Sequence, residues 1–154
     1  MTSSRRRYVF VETAIGMLIN TLISIGFVYL IFGGTAQIST AALIPDAVPQ
    51  SFMIALMSTI VPTLLTRKRM RAGVVASSDR QIPKLMKALP VRALLVALLA
   101  AIAGLASHAF LLGSFSPSEM TFGTALIFKA SYGAILAAIV TPITLQLALA
   151  EQIL

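Results

Sequence analysis

Between Thr66 and Arg92 the chain carries Arg67, Lys68, Arg69, Arg71, Arg80, Lys84, Lys87 and Arg92, eight of its twelve Lys and Arg residues. On either side the sequence is almost wholly apolar. A segment this cationic stays in water or among lipid headgroups. It therefore divides the chain into two apolar halves of similar length, and any fold must keep its middle wet while burying both flanks.

Composition excludes an ordinary soluble domain. Apolar residues make up 58% of the 154 positions and charged residues 11%, against about 25% charged in soluble domains. A membrane-spanning helix needs about 20 mostly apolar residues to cross a hydrocarbon core of about 30 Å. Four segments fit, at residues 9–32, 49–66, 92–112 and 120–149, the second being the shortest. The sequence thus predicts a single all-α membrane domain of four transmembrane helices, arranged as two helical hairpins, with the basic loop at 67–91. Eleven basic residues fall in Arg5–Arg7 and Arg67–Arg92, while the connections at 33–48 and 113–121 have none. The positive-inside rule then makes the termini and central loop cytoplasmic, in a bacterial-type inner membrane.

The net charge of +7 does not indicate nucleic acid, because the basic loop lacks recognition or aromatic elements. It indicates an anionic inner leaflet, with Arg67, Lys68, Arg69, Arg71, Lys84 and Lys87 as the lipid-facing cations. Ser78 and Gln81 form a capping-box pattern. Ile82, Leu85, Met86 and Leu89 behind them share a face, as in a short helix lying on headgroups. Arg5-Arg6-Arg7 precedes an apolar run about twice the length of a signal h-region, with no A-x-A-like cleavage site after it, which points to an uncleaved first span.

Local punctuation sets the helix ends. Gly33-Gly34 closes the first helix. Pro45 and Pro49 bracket the turn into the second span, with Asp46 as a cap. Ser116-Pro117-Ser118-Glu119 has the cap, first-turn proline and capping-box acid of a helix beginning near Pro117. Pro62 in the second span needs a neighbour to satisfy the carbonyl it frees. The halves align at an offset of 80, matching Gly33 with Gly113, Ser51 with Ser131 and Pro62 with Pro142. A duplicated hairpin with parallel topology is one reading of this match, and chance among apolar residues is the other.

Ionisable or amide side chains within a span are the first candidates for function, since a charge at the bilayer centre costs at least about 2.5–3.5 kcal/mol. Here these are Glu12, Asn20, His108 and Lys129. Glu12, Gly16, Asn20 and Ser24 recur every four residues and form one stripe, of the small and polar kind that faces other helices. At 1.5 Å per residue, Glu12 lies about 6 Å from the inner edge and Lys129 about 10 Å from the outer one, so a direct pair between them is not expected. Lys129, His108 and Tyr29 share the outer depth. They read either as a polar cluster for an anion or proton, or as a snorkelling lysine and an interfacial histidine.

A membrane glutamate in the first of four spans resembles the small multidrug resistance exporters. The resemblance is confined to Glu12 and the span count. Those chains are shorter, with tight loops and weak charge bias, and Trp is absent here.

No nucleophile elbow, H-x-x-x-H or paired metal-ligand motif occurs, so neither an enzyme nor a metal or cofactor site is expected. Two functions fit. One is a structural or accessory membrane component that self-associates or joins a larger complex. The other is a minimal oligomeric transporter or channel for a small solute or ion, working through the intramembrane polar residues.

Overall fold

A computed structural model describes residues 3–78 and 83–151, with the backbone only at Ser3, Lys84 and Leu85. The chain runs α1 (Ser3–Phe32), β1 (Gln37–Ser39), α2 (Thr40–Arg71), α3 (Lys84–Lys87), α4 (Leu89–Phe115), β2 (Glu119–Thr121) and α5 (Phe122–Leu149). The four long helices are each long and apolar enough to cross a membrane. At 27 to 32 residues they run about 40–48 Å, longer than a hydrocarbon core of about 30 Å.

Burial is inverted relative to a soluble protein. The largest fully buried side chains are Arg92 and Lys129, whereas Phe10, Leu30, Leu99, Ile102 and Ile127 are among the most exposed. In water such a surface would cost far more than the fold returns. Against lipid tails it costs nothing, and polar groups turn inward to find partners.

Helices that follow one another in the chain are not the ones that pack together. The broad contacts are α1 on α5, α4 on α2, and α2 on α5 between them, while α1 hardly meets α2 and α4 hardly meets α5. The two-hairpin expectation describes the order of the chain but not its packing. Two close approaches pin the exchange. Gly104 of α4 lies against Ser51 Oγ and Tyr132 OH, and Gly133 of α5 lies against Ser24 Oγ. A methyl group at either glycine would collide with these atoms, so the small residue sets the interhelix distance. The mid-bundle core is correspondingly slight, centred on Ala55, Ala97, Ala100 and Val140.

At one end β1 and β2 pair antiparallel, with Gln37 opposite Thr121, Ile38 opposite Met120 and Ser39 opposite Glu119. The central Ile38 and Met120 are buried with Leu43, Leu112 and Ala125. Thr40 N–H donates to Ser118 O at 2.9 Å and Phe122 N–H to Ala36 O at 3.2 Å. The ribbon thereby sets the first residues of α2 and α5 side by side. At the other end the N-terminus, the central loop and the C-terminal segment meet. Arg5 Nη2 donates to Ser77 O at 2.8 Å, and Ser78 N–H donates to Leu149 O at 2.6 Å.

Several helix ends differ from the sequence expectation. α2 starts at Thr40 rather than near Pro49, so Pro45, Asp46 and Pro49 lie inside the helix. Asp46 is therefore not a cap. α5 starts at Phe122, capped by Thr121, whose Oγ1 accepts from Thr124 N–H at 3.2 Å. The cap pattern at Ser116–Glu119 is overridden because the backbone there is used in pairing with β1. Gly33-Gly34 does close α1, with Gly34 at φ 92°. α2 closes on a Schellman motif: Gly73 (φ 70°) donates to Met70 O, and Val74 N–H to Arg69 O, both at 3.0 Å. Gln81 of the Ser78–Gln81 capping box and the Ile82 and Leu85 side chains lie outside the described residues.

Candidate functional site

The ribbon end decides which charges meet. Asp46 lies six residues beyond the start of α2 and Lys129 seven beyond the start of α5, about 9 and 10 Å down adjacent helices. Equal depth brings them together. Lys129 Nζ lies 2.6 Å from Asp46 Oδ2. Lys129 is 0% exposed and Asp46 8%, so Lys129 does not snorkel outward.

Polar side chains surround the pair. Gln50, one turn past Asp46, donates from Nε2 to Ser24 Oγ at 2.9 Å and to Lys129 O at 3.2 Å. Ser51 Oγ donates to Ala47 O at 2.6 Å, so Tyr132 OH is the donor in its 2.6 Å bond to Ser51 Oγ. His108 is fully buried, edge-on to the rings of Phe128 and Tyr132 at 5.1 and 4.4 Å. Its Nδ1 lies 3.0 Å from Gly104 O. A carbonyl only accepts, so Nδ1 carries the proton, and Nε2 has no hydrogen-bond partner among the described residues. Tyr29, by contrast, is exposed and packs edge-on against Phe122. The structure thus brings Lys129 to Asp46, sets His108 against Phe128 and Tyr132, and leaves Tyr29 outside.

Deeper in the bundle, Asn20 Nδ2 donates to Gly16 O at 2.8 Å and to Ser58 Oγ at 3.1 Å. Pro62 removes the donor for Ser58 O, and Thr144 Oγ1 supplies one at 2.9 Å. The neighbour that a membrane proline needs is therefore Thr144. Asn20 also lines a small crevice of about 70 Å³ with Ile19, Met57, Val61 and Thr141. The whole stripe of Glu12, Asn20 and Ser24 faces other helices.

The basic end holds a second buried charge cluster. Arg92, fully buried, donates from Nη1 to Glu151 Oε1 at 2.8 Å and from Nη2 to Thr63 Oγ1 at 2.9 Å. Arg67 Nε donates to the other oxygen of Glu151 at 2.6 Å. Glu12 pairs with Arg69, whose guanidinium lies over the Tyr8 ring. Arg67 and Arg69, both partly exposed, thus pair with carboxylates of the protein itself. Lys68, Arg71 and Lys87 are exposed, and the Lys84 side chain lies outside the described residues.

Sequence reasoning missed Asp46, Gln50, Tyr132 and Glu151 as partners. Asp46 and Gln50 are spaced one turn apart, a signal hidden by reading that segment as a loop. No three His, Asp or Glu side chains among the described residues are grouped to hold a metal ion. Chemically, the Asp46–Lys129 arrangement is a closed, compensated charge pair joining two helices. No family model matches the chain, nor does any curated protein or solved structure.

Proposed function

We propose that this chain is a small, non-enzymatic inner-membrane protein acting as a structural or accessory component, through self-association or within a larger complex. The observation that carries the reading is the closure of Lys129 against Asp46, with Lys129 wholly buried. A transport residue must exchange its partner for solute or water, and this lysine is held in a packed crossing of α2 and α5. The basic end, with exposed Lys68, Arg71 and Lys87, lies at the cytoplasmic face by the positive-inside rule, and the β-ribbon lies on the opposite side.

The same reading includes an internal repeat. Ile19, Asn20, Met57, Ser58 and Val61 line the crevice between α1 and α2, and Leu99, Ala100, Ile139, Val140 and Ile143 line the one between α4 and α5. These positions correspond at an offset of 80 residues on the first helix of each half and 82 on the second, so the uniform offset of 80 that matches Ser51 with Ser131 and Pro62 with Pro142 does not hold on the second helices. The Ser24–Gly133 and Gly104–Ser51 contacts follow the same two offsets with glycine and serine exchanged. Both halves start at the basic end, which favours a parallel repeat.

A minimal oligomeric transporter is the second reading. It is favoured by Asn20 Oδ1, Gln50 Oε1, His108 Nε2 and Thr141 Oγ1, which are buried without a hydrogen-bond partner among the described residues. Proteoliposome flux separates the two. The accessory reading predicts no solute or proton flux above protein-free vesicles, together with recovery of a second copy or a partner by crosslinking in native membranes. Flux abolished by Lys129→Leu in a variant that keeps its helicity would overturn it in favour of transport.

A further inference from the structure

The contacts that join the two halves come in matched pairs. An offset of 82 residues along the ribbon sets Ile38 on Met120, and turns the hydrogen bond from Thr40 N–H to Ser118 O into that from Phe122 N–H to Ala36 O. With 80 on α1 and 82 on α2, Glu12 falls on Arg92 and Arg69 on Glu151. The ion pair inside the first half thus recurs inside the second with its signs exchanged. The halves therefore pack as two copies of one two-helix unit would, across a two-fold axis through the ribbon. Each unit lays its first helix on the second helix of the other.

At the crossings the matched residues differ, and they differ in a complementary way. The first half supplies Ser24 and Ser51, and the second supplies Gly133 and Gly104 opposite them. Each contact holds one serine and one glycine. Two first halves would set serine against serine at both points, where even a methyl group collides, and two second halves would set glycine against glycine across a gap. Asp46 meets Lys129, while their counterparts at the same offset are Phe128 and Ala47. Pairing like with like would bury two aspartates beside alanine, or two lysines beside phenylalanine, without counter-charge. Arg67 reaches Glu151 across the same boundary, and in two first halves it would face Arg69 instead.

We propose that this boundary is a recognition surface that accepts the unlike half and rejects the like one, with Asp46, Lys129, Ser24 and Gly133 as the discriminating residues. The partner it fits is a second copy of this chain, joined by exchange, the first half of each copy lying on the second half of the other. None of the contacts above depends on the two halves sharing a chain. The connection at 72–88 spans up to about 55 Å when extended, several helix widths of about 10–12 Å, so it reaches a neighbour as well as its own chain. The inference names the surface for the self-association proposed above, and it rests on that reading and on the repeat.

The test uses full-length chains co-expressed in pairs with two different tags. Recovery of one tag on the other is measured in mild detergent, and native mass spectrometry gives the stoichiometry. The first pair is Asp46→Lys with Lys129→Asp. Either variant alone sets like charges together where α2 crosses α5, and exchange between the two gives every charge its opposite. The second pair is uncharged, Gly133→Ser with Ser24→Gly. Exchange there restores one serine and one glycine at each contact, an arrangement the protein already holds at Ser51 and Gly104. Both mixed pairs are expected as one-to-one dimers, in about tenfold or greater excess over either variant co-expressed with itself. Reversed charges can prevent folding, so excess in the serine–glycine pair alone upholds the assignment. No excess in either mixed pair overturns it. So does an equal yield of dimer from a chain that carries both Asp46→Lys and Lys129→Asp and is co-expressed with itself, since that chain satisfies its own pair. Whether wild-type copies associate in the membrane is read separately, by the crosslinking described above.

Discussion

Lys129 on α5 and Asp46 on α2 meet at 2.6 Å in the interior of the bundle, at a crossing fixed by two helices that start from one β-ribbon. Each charge compensates the other in the buried interior, Lys129 being 0% and Asp46 8% exposed. A buried pair is often no more stabilising than a well-packed apolar pair, but losing one member is expensive, at about 3–5 kcal/mol. Lys129→Met and Asp46→Leu are therefore each expected to lower the thermal midpoint in detergent strongly, and the double variant is expected to recover most of the loss. Additive losses in the double variant would mean the two residues do not work as a pair.

The cluster at the basic end allows a comparison of two ion pairs in one protein. Arg92 is 0% exposed and depends on Glu151, whereas Arg69 is 38% exposed beside Glu12. Glu151→Gln leaves a buried guanidinium short of its counter-charge and is expected to destabilise by about 3–5 kcal/mol. Glu12→Gln loses a partner that water screens and is expected to cost about 1 kcal/mol or less. Chemical denaturation of the two variants in the same detergent gives the order, and a reversed order would contradict the burial assigned to Arg92.

Gly133→Ala places a methyl group against Ser24 Oγ. Overpacking of this kind costs about 1–3 kcal/mol. Adding Ser24→Gly removes the closest of the obstructing atoms, leaving Asn20 O at 3.2 Å and costing Gln50 its bond to Ser24 Oγ, so the double variant is expected to recover part of the loss of Gly133→Ala alone. Unfolding midpoints of the three proteins test whether α1 packs on α5 at this point.

Asn20 makes the smaller contribution. Its bond to Ser58 Oγ at 3.1 Å is an interhelical hydrogen bond within the apolar zone, a class that averages about 0.6 kcal/mol in membrane proteins. Asn20→Leu is expected to shift the midpoint only slightly, well below the effect of losing Lys129. A collapse of the fold would assign Asn20 a larger role than its contacts support.

Much of this was legible in the sequence, and the rest was hidden for identifiable reasons. Four apolar segments and the basic middle gave the helices, and the four-residue spacing of Glu12, Asn20 and Ser24 marked the face of α1 that packs. Asp46 escaped because Pro45 and Pro49 looked like the edges of a turn. Within a membrane helix the lost donor and the local distortion at each proline are tolerated where neighbouring groups satisfy the freed carbonyl. The cap pattern at Ser116–Glu119 misled because a local preference yielded to pairing with Gln37–Ser39, some 80 residues away. Hydropathy is blind to which helix packs on which, so the exchange of partners, and with it the meeting of Lys129 and Asp46, rested on contacts the pattern does not encode.

The chain has no cysteine, so a single introduced thiol reports its own position without background. Thr35→Cys at the ribbon end and Ala76→Cys in the basic loop can each be exposed, in intact cells, to a membrane-impermeant maleimide. The account predicts labelling at position 35 from outside and protection at position 76 until the membrane is permeabilised. Labelling at 76 in intact cells, with 35 protected, would contradict it.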